Sequence, residues 1–247
     1  MRYLFLAFMT IVSCGQETLA PPELLNDLQP LVAIPDPVAI PMPNEGEEQF
    51  AKVTFYTAVP KSLGGAIGRP FVDKLFLKGI RGKVQPTAGK LEDHGNIRII
   101  VLQTKAAVPS RKVAFETLGK GDHLLRYGVN FFVLNGPRRN TLGDFWITDA
   151  PDSEKLQWLA PEIDILNPAN GHSLKSGGNL AIEGKLVNHN DEPVRLSWYV
   201  STGSLNNRHS LSPTWSGYEP GNQLIILVAR GLKSRGAAIV FRDVEVL

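Results

Sequence analysis

Beyond Gln49 the apolar residues of this chain recur with a period of two, and clusters of Gly, Pro, Asn and Asp break the alternation at regular intervals. That pattern admits half-buried strands and little else. It predicts strands over Ala51 to Val59, Val72 to Val84, Asn96 to Gln103, Lys112 to Leu118, Leu124 to Leu134 and Asp144 to Thr148. No stretch sustains helical spacing long enough for a crossover helix, which argues against a parallel α/β sheet. Ala150-Pro151-Asp152-Ser153-Glu154 is a polar break, and a second unit opens near Ala160. The expected fold class is therefore all-β, with two tandem β-sandwich domains over residues 49–150 and 160–247. A chain of 247 residues can bury a core in each without disulfide or metal.

In the second unit, Glu162-Ile163-Asp164-Ile165-Leu166-Asn167-Pro168 reads as an opening strand, and Asn179 to Asn188 as the next. Val194 to Val200 carries Trp198 in the middle of an alternating strand. Gln223 to Arg230 and Ala238 to Val246 form a final hairpin around Gly231 to Gly236. With Asn167-Pro168-Ala169-Asn170-Gly171 after the first strand, Gly178-Asn179-Leu180 opening the second and Gly221 leading into Ile225-Ile226-Leu227-Val228-Ala229, this order resembles the bacterial immunoglobulin-like families found as modules of surface proteins. Val244-Glu245-Val246 closes the match. The resemblance covers roughly the last 85 residues. It implies an architecture and no ligand, since the paired cysteines of antibody domains are absent.

The N-terminus reads as an address. Met1-Arg2-Tyr3 is a short positive region, and Leu4 to Val12 is an apolar run too short to span a bilayer but long enough for a signal peptide. Ile11-Val12-Ser13-Cys14 resembles the lipobox of bacterial lipoproteins, and the sole cysteine stands where that motif requires it. The resemblance implies removal of residues 1–13 and a diacylglyceryl group on Cys14, anchoring the chain in a membrane. Cleavage near Ala20 without lipidation is the alternative. Gly15, where an Asp would retain a Gram-negative lipoprotein in the inner membrane, favours the outer membrane. Residues 14–48 carry prolines at 21, 22, 30, 35, 37, 41 and 43, which predicts an extended tether. At about 3.1 Å per residue it would reach on the order of 90 Å. Two alternatives stand: a short helix over Pro22 to Leu28, and Leu31 to Ile40 docking on the first domain as an edge strand.

Little in the sequence points to catalysis. His94, His123, His172, His189 and His209 show no metal-ligand spacing, and no Gly-x-Ser-x-Gly elbow is present. Gly64-Gly65-Ala66-Ile67-Gly68 leads into another strand through Arg69-Pro70, so it lacks the helix a phosphate loop needs. Glu92-Asp93, Asp152-Glu154 and Glu162-Asp164 are acid pairs that surface solvation explains as well as glycoside hydrolysis does. Asn188 to Glu192 reads as a polar hairpin turn rather than a calcium loop. The net charge of +2 is too small to suggest a nucleic-acid partner. Arg138-Arg139 and the group Arg230, Lys233 and Arg235 are read as solvated turn residues rather than a polyanion site.

Of the four tryptophans, Trp198 reads as core, whereas Trp158 and Trp215 lie in less regular stretches and are the candidates for contact with a ligand. These features point to a lipid-anchored envelope protein acting as a non-enzymatic binding or assembly module. No cofactor or metal is expected, and its partners would be the membrane, through the lipid, and another envelope protein or a glycan. A glycan-binding or glycan-hydrolysing protein would need two facing carboxylates beside an exposed Trp158 or Trp215. A subunit of a secretion or surface appendage complex would need a long open strand edge.

Overall fold

The computed structural model describes residues 23–63, 71–75, 83–134 and 136–247, with backbone alone for 71–75. In the first unit the strands are β1 (Gln29–Asp36), β2 (Ala39–Pro41), β3 (Phe50–Pro60), β4 (Phe71–Leu75), β5 (Val84–His94), β6 (Ile97–Ala107), β7 (His123–Phe132) and β8 (Arg138–Thr148). They make two four-stranded sheets, ordered β1-β3-β6-β5 and β2-β8-β7-β4. This is the immunoglobulin layout of one sheet over another, with β1 and β2 a single leading strand that switches sheets. β1 pairs antiparallel with β3, and β2 then runs parallel to β8. Alternating residues from both sheets, among them Phe55, Leu102, Tyr127, Phe131 and Phe145, fill the space between them.

The second unit repeats the plan with β9 (Glu162–Asn167), β10 (Ser173–Leu174), β11 (Asn179–Ala181), β12 (Glu183–Val187), β13 (Val194–Val200), β14 (Ser204–Asn206), β15 (Thr214–Ser216), β16 (Gly221–Gly231) and β17 (Ala237–Val246). One layer is β10-β17-β16-β13, and the other combines β9-β12 with β11-β15-β14. Again the leading strand divides: β9 pairs antiparallel with β12, and β10 parallel with β17. The switch follows a proline in both units, Pro37 and Pro168. A residue without an amide donor suits a point where one ladder ends and the next begins.

Three expectations are corrected. Residues 29–41, expected as tether, form β1 and β2 instead, which agrees with the alternative that Leu31 to Ile40 docks on the first domain as an edge strand. β1 is the outer strand of its sheet, where Pro30 and Pro35 cost few ladder bonds, while Leu31, Val32 and Ala33 are buried. Before it, Leu24 forms a parallel bridge with Val200 in place of the short helix. Lys112 to Leu118, expected as strand, is helix α1 (Arg111–Leu118). Val113, Phe115 and Thr117 imitate alternation, but Pro109-Ser110 starts a helix and Gly119, at φ +93°, stops it by donating its N–H to Phe115 O. Ala114, Phe115 and Leu118 then meet the core on one face. The expected strand over Val72 to Val84 lies partly outside the described residues, as do the Gly64 to Gly68 loop and Cys14.

The two sandwiches are joined by a third apolar core. The outer face of β1, β3 and β6 contributes Val32, Ala58, Ile97, Ile99 and Val101, and the facing sheet contributes Leu224, Ile226, Val228 and Ala237. β16 is therefore covered on both sides: Ile225, Leu227 and Ala229 enter the second sandwich while Leu224, Ile226 and Val228 enter the seam. A continuous apolar run is what a strand with two buried faces requires. At one end of the seam Gly95, at φ +54°, lies so close to β16 that a Cβ would come within 2.3 Å of Asn222 O. This arrangement predicts a single cooperative thermal transition for both domains. Ile226→Ala should cost about 2–5 kcal/mol, and Ile226→Asp should split the transition in two. Two separate transitions in the unaltered protein, seen by scanning calorimetry, would contradict it.

Candidate binding surface at the junction of the two sandwiches

The polar edges of this seam hold one of the two tryptophans expected to touch a ligand. Trp158 follows a short 3-10 turn, Glu154–Gln157, in the connection between the domains. It lies edge-on to Trp146 of β8, with ring centroids 6.1 Å apart. The Lys155 ammonium stands 5.2 Å from the Trp146 ring and 5.5 Å from the Trp158 ring, and the Lys233 ammonium 5.2 Å from Trp158. Trp146 Nε1 donates to the Lys233 carbonyl across the junction at 3.3 Å. Trp158 is thus half-buried and already stacked against cations, a wedge between domains more than a free platform for a sugar ring.

Trp215 is not a contact residue. It is fully buried, because it points inward from the middle of β15 between Leu180 and Leu205 on the neighbouring strands. Its ring centroid lies 4.4 Å from that of Tyr218, and its indole N–H donates to Thr202 O at 2.8 Å. A strand of three residues among serines and a proline gave no alternation long enough to show this. Trp198 is buried as expected, with its N–H donating to Ser210 O. Trp158 and Trp215 therefore sit apart, one at the junction and one in the second core.

Two of the three acid pairs have basic partners, while Asp152 and Glu154 form no ion pair within 4.0 Å among the described residues. Glu92 meets Lys90, Asp93 meets Lys61 and Arg98, Glu162 meets His189, and Asp164 meets Arg242. The carboxylate that shares the Lys155 ammonium with Trp158 is Asp122, which receives Asp149 N, Ser153 Oγ and Lys155 Nζ at 2.9, 3.0 and 2.9 Å. Burial alone would raise its pKa, but these hydrogen bonds outweigh burial and hold it below the usual carboxylate range. It has no proton to donate near neutrality, as a glycosidase acid must. Among the described residues no group of three or more His, Asp, Glu or Cys side chains could hold a metal ion.

Other junction contacts were not evident from the sequence. His94, at the end of β5, stacks on Phe241 and lies 3.0 Å from an Asp243 oxygen, pairing the first domain with the second. The segment before β1 is stitched across both domains. Glu23 pairs with Arg208, Leu25 N donates to Val200 O, and Asp27 pairs with Arg139. Beside this strap lies an open hollow of about 660 Å³, lined by Glu23, Leu205, Asn207, Arg208, His209 and Ser210. Leu24, Leu25 and Leu28, three leucines in a segment otherwise read as spacer, were the available signal.

No protein-family model matches the chain, and no curated protein sequence is similar to it. Among solved structures it is similar to the fibronectin(III)-like modules of Clostridium thermocellum CbhA, at 11% identity over 87% of this chain and 93% of that one, with a TM-score of 0.32. It is also similar to the N-terminal Ig1-2 module of the Drosophila receptor protein tyrosine phosphatase DLAR, at 10% identity over 90% of this chain and 99% of that one, with a TM-score of 0.30. Strand pairing, rather than these distant likenesses, defines the fold.

Asn188 to Glu192 is a turn but not the expected hairpin, since β12 pairs with β9 and β13 with β16 in the other layer, and it closes on a buried carboxylate. Glu192 is 6% exposed and receives Lys233 N at 2.6 Å, Ser234 N at 2.7 Å and the Ser234 hydroxyl. Gly231 is required beside it, since a Cβ there would lie 2.2 Å from Glu192 Oε1. Burial alone would raise the Glu192 pKa, but its donors outweigh burial and lower it. The resulting stability is complete above the ordinary carboxylate pKa and is lost as pH falls through the lower, folded-state value. Glu192→Gln should cost about 1–3 kcal/mol at neutral pH by setting an amide against backbone donors. In urea melts from about pH 7 to about pH 3, the parent should lose more stability than the variant. Equal losses would remove Glu192 from the account.

Proposed function

We propose that this chain is a lipid-anchored cell-envelope protein whose two fused immunoglobulin-like sandwiches act as a non-enzymatic binding or assembly module. The lipobox resemblance at Ile11 to Cys14 supports the anchor, and Gly15 favours the outer membrane if the envelope is Gram-negative. The observation that carries the reading is the strap. Glu23 to Asp27 is fastened to both domains, so an anchor on Cys14 pulls on the two-domain body as one piece. Eight residues, and so nine Cα-to-Cα steps, separate Cys14 from Glu23. At about 3.3 Å each they reach roughly 30 Å, a third of the reach that a tether running to residue 48 would give. The body is then presented close to the lipid surface, in a restricted orientation.

The glycan reading is weakened by the burial of Trp215 and by the engagement of Trp158 with two lysines. For a subunit role by strand addition, β5 is the relevant edge, since it pairs only with β6 among the described strands. Pro86, the irregularity between Pro86 and Ala88, and the charges on Lys90, Glu92 and Asp93 are features that blunt such pairing. The anchor is tested with Cys14→Ser. The parent should incorporate labelled fatty acid and sediment with membranes, and the variant should do neither. A parent protein with an unmodified amino terminus downstream of Cys14 would reject the anchor.

A further inference from the structure

The seam's apolar face ends, beside β13, in a group of arginines without an ion-pair partner among the described residues. Arg195 of β13 and Arg230 of β16 are direct cross-strand partners. They share the face that carries Val228 and Ile226 into the seam, so their Cβ atoms are about 5 Å apart. Like charges at that spacing repel. Arg195 is exposed and Arg230 half-buried, and among the described residues neither forms an ion pair within 4.0 Å. Arg235, at the turn of the same hairpin with φ +69°, has a buried Nε without a hydrogen-bond partner among the described residues.

The carboxylate that acts on Arg230 is Asp144, and it is already committed. It accepts two hydrogen bonds from Arg126, at 2.6 and 2.9 Å. Burial disfavours the charged form of Arg230, and so do Arg195 and Arg235, against the opposing pull of Asp144. Tyr199 stands on the same face of β13, and burial holds its phenol protonated despite the arginines around it. Arg195 and Arg235 both lie near enough to Arg230 to act on its charge, and the Tyr199 hydroxyl, which hydrogen-bonds Ser197, lies near Arg195 and Arg230. A cation left partly desolvated and unpaired is costly, and an oxyanion seated there would relieve both the desolvation and the repulsion.

We propose that Arg195 and Arg230, with Arg235 and Tyr199 beside them, form a binding site for a phosphate-class oxyanion, either a free phosphate or the headgroup of an anionic lipid. The proposal names a ligand class for the binding module above and rests on that reading, but not on the lipid anchor. The planar, multi-donor guanidinium is suited to such oxyanions.

The test uses the full chain carrying Cys14→Ser, so that no acyl group contributes to binding. Inorganic phosphate is titrated against chloride at matched ionic strength and followed by thermal midpoint and by phosphorus NMR. In parallel, flotation is measured with vesicles of phosphatidylcholine alone and with added phosphatidylglycerol. Phosphate should raise the midpoint and broaden its own resonance. Arg195→Gln should weaken that binding about ten- to a hundredfold, the worth of one charge-assisted hydrogen bond. Flotation with phosphatidylglycerol, lost in Arg195→Gln, without binding of free phosphate would assign the site to a headgroup.

Without phosphate, Arg230→Met should melt no lower than the parent, because it removes an unpaired, desolvated charge. A lower midpoint would mean that the guanidinium already has its partner within the chain, and would overturn the proposal. So would the absence of binding to both probes, or binding that survives Arg195→Gln. Failure on these counts leaves acylation at Cys14 and the capture of a different partner to be judged separately.

Discussion

The structure depends on apolar contact between two sheets that each already have a full-time partner. Leu224, Ile226 and Val228 on one side and Val32, Ile99 and Val101 on the other are removed from water only because the sandwiches lie face to face. Each such side chain contributes about 1.5–3 kcal/mol when buried, so together they far exceed what a flexible linker could supply. The remaining junction features follow from that contact. The tryptophan wedge and the His94–Asp243 pair fix the edges of an interface whose centre is already apolar.

Much of the fold could be read from alternation and turn residues. Val194 to Val200 is a strand with the bounds expected, and the Gly231 to Gly236 turn closes as a hairpin, with Gly231 N donating to Gly236 O. Alternation reports only that one face is buried. It therefore misled at Lys112 to Leu118, where a helix packs through Ala114 and Phe115, and it gave nothing at Trp215, in a strand of three residues. The seam did leave a trace in the runs Ile99-Ile100-Val101-Leu102 and Leu224 to Ala229, which fail to alternate. Such runs mark strands with apolar neighbours on both sides, but they do not name the neighbour.

The candidate site was less legible than the fold, for a physical reason. Arg195 and Arg230 stand far apart in the sequence, and only the β13–β16 register makes them adjacent. The same holds for Glu192 and Ser234, which meet across two turns. Proline gave a misleading signal at Pro30 and Pro35: it disfavours interior strands, yet β1 is an edge strand and tolerates both. The basic residues near Arg230 looked like turn decoration because nothing local showed that their strand was covered on both faces.

The strap imposes an order of events on a chain that emerges from its N-terminus. Leu24 finds its bridge at Val200, and Glu23 finds its counter-charge at Arg208, both supplied by the last quarter of the polypeptide. Contacts of such high sequence separation are slow to close and cannot reward the chain until its far end has arrived. Residues 23 to 25 are therefore fastened only after residues 200 to 208 have arrived. Until then the leucines at 24 and 25 remain in solvent, where a chaperone or a competing strand can reach them.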